Sequence, residues 1–361
     1  MKKVAIIGTA GVPANYGGFE TLAQNLIKNL KDEFEFTVYC SKKHYPKKRR
    51  VAEIHQAKLI YLPFKANGCQ SIIYDIISMI HAIFYCDTLL ILGVSGGLFI
   101  PFLKLFTNTN IILNLDGLEW KRQKWNFCTK LFLKISEYIA VKKSDKIITD
   151  NQVLKEYLNH KYKRSGSLIE YGGDYLLNET LENNYLQTHN LTKGNYALKI
   201  ARIEPENNIH IILSAFSKSH KKLMIIGNWS TSNYGKTLKK KYSDFKNISI
   251  NEPIYDRKIL NALLLGSEVY IHGHSAGGTN PSLVEAMCLK LPVIAFDVNF
   301  NRETTENKGY YFKDEESLTK TILNLTSLDL ISNGNSMHEI SLRRYKWNRI
   351  SELYKNLINE I

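Results

Sequence analysis

Apolar residues recur along the chain in two alternating rhythms. Short runs at 4–8, 36–40, 59–62, 89–93, 111–115 and 146–149 have the length and the Val, Ile and Leu content of strands. Between them lie stretches with helical spacing. In 18–30, Leu22, Leu26, Ile27 and Leu30 fall on one face, and 71–85 reads as a mostly buried helix. Such alternation predicts a parallel sheet covered on both faces by helices. A polar, Asn-rich run at 171–194 interrupts it. The rhythm then restarts, with strands at 196–201, 222–227, 248–250, 269–272 and 293–296 and helices at 209–216, 256–265 and 281–289. In the final stretch, 341–361, Leu342, Tyr345, Ile350, Leu353, Tyr354 and Leu357 recur at helical intervals. The expected organisation is two doubly wound α/β domains, 1–170 and 195–340, a linker at 171–194 and a closing helix at 341–361. Sheets of this kind bind ligands beyond the carboxyl ends of their strands, so two facing domains would form a cleft.

One apolar stretch could suggest a membrane span. Residues 89–106 are almost entirely apolar, but Gly93, Gly96 and Gly97 split them and Asp87 and Lys104 flank or interrupt them. A buried strand, a Gly-rich loop and a helix explain it better. The first residues enter a Gly-rich turn after four or five apolar positions, too few for a secretory signal. A length of 361 residues suits two domains.

Charge adds what periodicity cannot. The net charge is +14, and residues 1–170 hold 25 Lys/Arg against 14 Asp/Glu. A surplus that large calls for an anionic partner: nucleic acid, a membrane surface or a phosphorylated substrate. The five cysteines form no CxxC pair, which disfavours disulfides and a zinc site and suits reducing cytosol.

Three segments could carry chemistry. Residues 8–21, Gly8-Thr9-Ala10-Gly11-Val12-Pro13-Ala14-Asn15-Tyr16-Gly17-Gly18-Phe19-Glu20-Thr21, join the first strand to the first helix. Their glycines allow close backbone approach, and free N–H groups at a helix start favour a phosphate. They match neither the dinucleotide fingerprint nor the P-loop. Residues 272–286 run from His272 through a Gly-rich loop to Asn280, a plausible N-cap, and Pro281 at the first helical position. The N–H groups of Asn280, Ser282 and Leu283 would point outward toward a pyrophosphate. Glu285, one turn in, could accept hydrogen bonds from ribose hydroxyls or be an ordinary exposed helix residue. His272 and His274 supply only two ligands, so no metal is expected. Arg202, after the first strand of the second half, could neutralise a phosphate or pair with Glu204 or Glu206.

These motifs resemble glycosyltransferase family 4, of the GT-B fold. The carriers are Ala201-Arg202-Ile203-Glu204-Pro205-Glu206-Asn207, Gly277-Gly278-Thr279-Asn280-Pro281-Ser282-Leu283-Val284-Glu285-Ala286-Met287 and Leu291-Pro292-Val293-Ile294-Ala295. The first segment, with Asp116-Gly117-Leu118-Glu119-Trp120-Lys121-Arg122, is similar to the bacterial rhamnosyltransferase-type branch that builds capsule, O-antigen and cell-wall polysaccharide. The resemblance covers nearly the whole chain.

It implies a nucleotide-sugar donor held mainly by the second domain and metal-independent transfer with retention of anomeric configuration. Arg202 would stabilise the leaving pyrophosphate and Glu285 would hold the ribose. Gly278, Thr279, Asn280, Pro281, Ser282 and Leu283 would lie along the diphosphate and sugar, and Gly17 and Gly18 would close over the donor. Asp116 stands where many relatives have a His near the sugar or acceptor; its plain alternative is a carboxylate at a helix start. Two positions depart from the family: Asn207, in the donor site, replaces a Lys, and Gly277 replaces a Glu that usually contacts the hexose. The closing helix would cross back to the first domain.

The resulting expectation is a cytoplasmic rhamnosyltransferase, peripheral at the inner face of the membrane. It would use dTDP-β-L-rhamnose, with no cofactor and no metal, on a polyprenyl-pyrophosphate-linked saccharide. Alternatives are a UDP- or GDP-sugar donor, a nucleotide-sugar epimerase and, remotely, a basic nucleic-acid-binding protein; no nucleic-acid module is visible. The acceptor and membrane side would use Lys47, Lys48, Arg49, Arg50, Lys121 and Arg122.

Overall fold

The computed structural model describes residues 1–14, 17–115, 117–122, 125–178 and 192–361. The chain divides into two compact units: 1–170 with 347–361, and 171–346.

In the first unit the elements run β1 (Lys2–Ile7), α1 (Gly18–Asn29), β2 (Phe34–Ser41), β3 (Glu53–Ile54), β4 (Ala57–Leu62), α2 (Gln70–Ala82), β5 (Thr88–Leu92), α3 (Ile100–Phe106), β6 (Asn110–Leu115), α4 (Phe127–Lys143), β7 (Lys146–Thr149), α5 (Gln152–Tyr162) and β8 (Ser167–Leu168). The sheet order is β3-β4-β2-β1-β5-β6-β7-β8, parallel except where β3 runs antiparallel to β4. The central strands β1 and β5 are buried over most or all of their length, which is why they read as unbroken apolar runs. The apolar stretch 89–106 resolves into most of β5, a short 3-10 turn (Gly97–Phe99) and α3. Among the described residues, no helix is long and apolar enough to cross a membrane.

The second unit contains β9 (Ala197–Ile200), α6 (Ile209–Ser217), β10 (Leu223–Ile226), α7 (Asn233–Tyr242), β11 (Ile248–Asn251), α8 (Arg257–Gly266), β12 (Val269–His272), α9 (Pro281–Cys288), β13 (Val293–Phe296), α10 (Asn299–Thr304), β14 (Tyr310–Phe312), α11 (Glu315–Asn324) and α12 (Ser327–Arg344). Its six strands are all parallel, in the order β11-β10-β9-β12-β13-β14. Side-chain caps fix several starts: Asp256 for α8, Asn280 for α9, and capping boxes at Asp314 and Thr326 for α11 and α12.

Two expectations are corrected. The closing amphipathic stretch is not one helix: α12 ends at Arg344, and α13 (Trp347–Asn359) begins after Tyr345 and Lys346. Leu342 and Tyr345 belong to the second unit, while α13 completes the first, packing on α1. There Asn114 Nδ2 donates to the Tyr354 hydroxyl at 2.9 Å and Asn29 Nδ2 to Ser351 Oγ at 2.9 Å. The run 171–194, expected to be only a linker, contains a 3-10 helix at Asp174–Asn178 whose Leu176 enters the core of the second unit; residues 179–191 lie outside the described residues.

Candidate functional site

In both units the strand order reverses direction about a central pair, β1/β5 and β9/β12. Helices leaving these two strands go to opposite faces, which opens a crevice at their carboxyl ends. The chain places three Gly-rich segments there, 8–14 with 17–18 after β1, 93–97 after β5 and 273–280 after β12, together with the glycine-free loop 201–208 after β9.

In the second unit the loops after β9 and β12 are laced together. Asn207, buried, donates through Nδ2 to Arg202 O at 2.9 Å, and its Oδ1 lies 3.1 Å from His274 Nδ1. Asn208 donates to Gly273 O at 2.8 Å, and Ser275 donates through N and Oγ to Glu206 O at 2.8 and 3.0 Å. Asn301 Nδ2 ties His274 O from α10 at 2.9 Å. The loops meet so closely that a Cβ on Gly273 would lie 2.2 Å from Asn207 O. Asn207 therefore braces the two loops, with both amide atoms on protein partners.

Arg202 is half-exposed at the end of β9, and its Nε is 3.7 Å from Glu204 Oε2. That distance is a loose ion pair on a group open to solvent, which leaves the guanidinium accessible to an anion. Gly277 has φ of 107°, a backbone region that L side chains rarely adopt, so the loop here is shaped for glycine. Gly278 and Thr279 are buried beside it.

Asn280 caps α9, and Pro281 takes its first turn. The cap corrects one expectation. Ser282 N donates to Asn280 Oδ1 and Leu283 N to Asn280 O, each at 3.1 Å, so these two groups are satisfied within the turn. Ser282 Oγ also donates to Asn280 Oδ1, at 2.9 Å. Leu283 is fully buried in the core. What α9 offers an anion is the dipole of its first turn.

Glu285 is half-buried, not an exposed helix residue. Burial pushes its carboxyl up to about 7, against the opposing pull of a Tyr175 hydrogen bond and the Arg257 charge. The Tyr175 hydroxyl donates to Glu285 Oε1 at 2.6 Å, and the Arg257 guanidinium lies 5.4 Å from the Tyr175 ring centre. Sequence reasoning missed both partners. Tyr175 sits in the run taken as linker, and Arg257 follows a helix cap, Asp256, with nothing local to mark it.

Two buried bases lie on the strands that lead into these loops. Lys199 of β9 is only 1% exposed, and burial lowers its ammonium to about 7. His272, at the end of β12, is fully buried with no hydrogen-bond partner on either ring nitrogen. Burial first, then the Lys199 and His274 charges, hold it well below the ordinary imidazole range.

In the first unit, Glu20 folds back from α1 onto the loop after β1, with Oε1 accepting from Ala10 N at 2.7 Å and Thr9 Oγ1 at 3.2 Å. Gln24 Oε1 accepts from Ala14 N at 2.6 Å, and the Tyr74 and Tyr45 hydroxyls donate to Thr9 O and Pro13 O, each at 2.9 Å. Gly17 and Gly18 stand at the start of α1; Asn15 and Tyr16 lie outside the described residues. After β5, Ser95 Oγ donates to buried Asp75 at 2.7 Å, and burial pushes that carboxyl up to about 7.

Asp116, Gln123 and Lys124 also lie outside the described residues. Next to them, Arg122 pairs with Glu119 at 3.1 Å, and Lys121 Nζ lies 5.6 Å from the Trp120 ring centre. Trp120 Nε1 donates at 3.0 Å to Glu137, a buried carboxylate that also accepts from Tyr157 at 2.5 Å and from the Tyr162 hydroxyl. Lys47, Lys48 and Arg49 form an exposed 3-10 turn. Arg50 instead serves its own loop, donating to Tyr45 O at 2.8 Å and Lys42 O at 3.2 Å.

Residues 1–174 match the family described as Domain of unknown function (DUF1972), and residues 182–346 match Glycosyl transferases group 1. No curated protein matches in sequence. Among solved structures, sucrose-phosphate synthase from Thermosynechococcus elongatus is similar with a TM-score of 0.84 at 17% identity over 100% of both chains. Anabaena HepE, in complex with UDP-glucose, gives 0.78 at 12% identity, again over 100% of both. AviGT4, a glycosyltransferase involved in avilamycin A biosynthesis, gives 0.64 at 12% identity, covering 99% of this chain and 96% of that one.

Proposed function

We propose that this chain, which has the GT-B fold of two Rossmann-like domains and carries a glycosyl transferases group 1 domain, moves a sugar from a nucleotide donor to a lipid-linked acceptor. The donor favoured is dTDP-β-L-rhamnose. The acceptor is a polyprenyl-pyrophosphate-linked saccharide at the inner face of the membrane, and the product belongs to surface polysaccharide. The observation that carries this reading is the conjunction of accessible Arg202, the start of α9 and Glu285 on loops braced at one crevice.

In this reading Arg202 and the first turn of α9 face the diphosphate, and Glu285 accepts hydrogen bonds from the ribose hydroxyls. The bond from the anomeric carbon to the diphosphate oxygen breaks while the acceptor oxygen bonds the same face of that carbon. The acceptor proton passes to the departing diphosphate oxygen. Charge accumulates on the leaving group as the sugar becomes oxocarbenium-like, so a fixed cation there lowers the barrier. No metal and no protein nucleophile take part. Gly17 and Gly18 are assigned to donor binding, and Asp116 serves the acceptor hydroxyl. The exposed run Lys47, Lys48 and Arg49, with Lys121, meets the lipid pyrophosphate and the membrane surface, while Arg50 and Arg122 stay on their own loops.

Calorimetric titration with dTDP, UDP and GDP tests donor recognition, and a panel of nucleotide sugars with a polyprenyl-pyrophosphate saccharide tests transfer. Saturable dTDP binding and rhamnosyl transfer are expected, with transfer abolished in Arg202→Ala and Glu285→Ala. Absence of nucleotide binding overturns the reading, and near-normal turnover in either variant refutes that residue's role. Consumption of a UDP-sugar without acceptor, seen by NMR, identifies an epimerase instead.

A further inference from the structure

The helices α3 and α4 break the usual pattern of a surface helix. The inner side of α4 is buried through Leu133, Ser136, Glu137, Ala140 and Val141, as expected. Its outer side is also apolar. Phe127, Leu131, Ile135 and Tyr138 are all exposed, and at 100° per residue they fall within about 80° of arc. The helix α3 packs beside it and continues the surface with Phe102, Leu105 and Phe106. Phe106 is 81% exposed, Phe127 79% and Leu105 75%. A helix apolar on both sides is unusual in water, and contiguous exposed apolar surface marks an interaction site.

The charges on these helices specify the partner. Lys130, Lys134, Lys142 and Lys143 lie on α4 and Lys104 on α3, while their single carboxylate, Glu137, is buried and bonded inward. Lys104 pairs with Asp145 at 2.5 Å and Lys142 donates to Tyr162 O at 2.8 Å, which leaves Lys130, Lys134 and Lys143 as the cations set among the large apolar side chains of this helix pair. Long lysine stems can lie along apolar surface while their ammonium groups reach outward. Aromatic and aliphatic side chains on one face with basic residues around them match the interface of an anionic bilayer, where the chains enter the acyl boundary and the lysines meet headgroups.

We infer that the outer face of α3 and α4, with Phe102, Leu105, Phe106, Phe127, Leu131 and Ile135, is a docking surface for an anionic lipid bilayer. This deepens the lipid-linked acceptor reading proposed above. It also separates the apolar anchor from the basic turn at Lys47–Arg49, which has few large exposed apolar neighbours.

Vesicle co-sedimentation without donor or acceptor tests this apart from catalysis. The full chain is expected to bind phosphatidylcholine vesicles containing a quarter phosphatidylglycerol and to bind pure phosphatidylcholine weakly. The double variants Leu105→Ser/Phe106→Ser and Leu131→Ser/Ile135→Ser change only exposed side chains, and their thermal unfolding should match wild type. Each should lower vesicle partitioning at least tenfold while leaving dTDP or UDP titration unchanged. Lys130→Gln/Lys134→Gln should lose affinity for the anionic vesicles alone, roughly fivefold per lysine. Wild-type partitioning by the serine variants overturns the proposal. So does a concentration-dependent dimer that these variants dissolve while no form binds vesicles, since the face is then a contact between copies of this chain. Nucleotide binding lost together with intact vesicle binding would instead count against the transferase reading.

Discussion

Replacing Tyr175 with Phe isolates the hydrogen bond that holds Glu285. The phenol donates to Oε1 at 2.6 Å, and burial has already pushed the carboxyl up to about 7. A hydrogen bond to an ionised group contributes about 1.5–3 kcal/mol, so its loss moves the carboxyl's titration up by about one to two pH units. Ribose binding in the proposed reading uses the ionised form, whose population rises with pH. At pH 7 that form is about half of wild type, and in Tyr175→Phe it falls to between about a tenth and a hundredth. Affinity for dTDP or UDP should therefore fall about five- to fiftyfold at pH 7 and converge on wild type near pH 9.5. Calorimetric titration of both proteins from pH 6 to 9.5 reads this directly. A loss of the same size at every pH, or superimposable curves, refutes the argument that Tyr175 acts by keeping Glu285 ionised.

Other perturbations follow from the same structure. Lys199 is lowered to about 7 from 10.5, so the unfolded chain takes up a proton that the folded chain refuses, and stability rises with pH between those values. Lys199→Met should raise stability by about 2–4 kcal/mol at pH 7 and by much less near pH 10; an equal gain in thermal midpoint at both pH values contradicts this. Asp75, raised to about 7 from 3.8, has the opposite slope, its folded state losing stability as pH climbs from about 4 to 7. The advantage of Asp75→Asn in thermal unfolding should thus grow between pH 5 and pH 8, and a constant difference counts against it. Gly273→Ala places a Cβ 2.2 Å from Asn207 O. It should cost about 1–3 kcal/mol in denaturant unfolding and weaken nucleotide binding at least tenfold; an unperturbed variant shows that the braced loops yield freely.

Much of this architecture is legible in the sequence because parallel strands buried on both faces leave unbroken apolar runs. Val4–Ile7 and Leu223–Ile226 are such runs and are fully or almost fully buried. The edge strands Glu53–Ile54, Ser167–Leu168 and Tyr310–Phe312 have only two or three residues, too few for a pattern to register. The break between Arg344 and Trp347 has no Gly or Pro to announce it, so helical spacing runs straight across a boundary between units. Asn280, Pro281 and Glu285 stand out because a Gly-rich loop and a helix cap precede them, whereas Arg202 has no glycine near it and is singled out only by its place after a strand and by the family resemblance. Tyr175 is not, because its partner lies 110 positions away and only tertiary contact reveals it. Asn207 occupies a position read as a donor contact, and its brace between two loops is likewise invisible without coordinates.

The division of the first unit across both ends of the sequence has a consequence for synthesis. A ribosome makes residues 1–170, then the whole of the second unit, and only then the helix Trp347–Asn359. Until that helix emerges, the buried amide of Asn114 lacks the Tyr354 hydroxyl, and the side of helix Gly18–Asn29 that it covers stays open. The half of the protein made first is therefore finished last. For the time it takes to translate about 180 residues, it is an incomplete body that nascent-chain chaperones can recognise. A nonsense change near residue 346 would leave the later-made unit whole and the earlier one permanently unfinished.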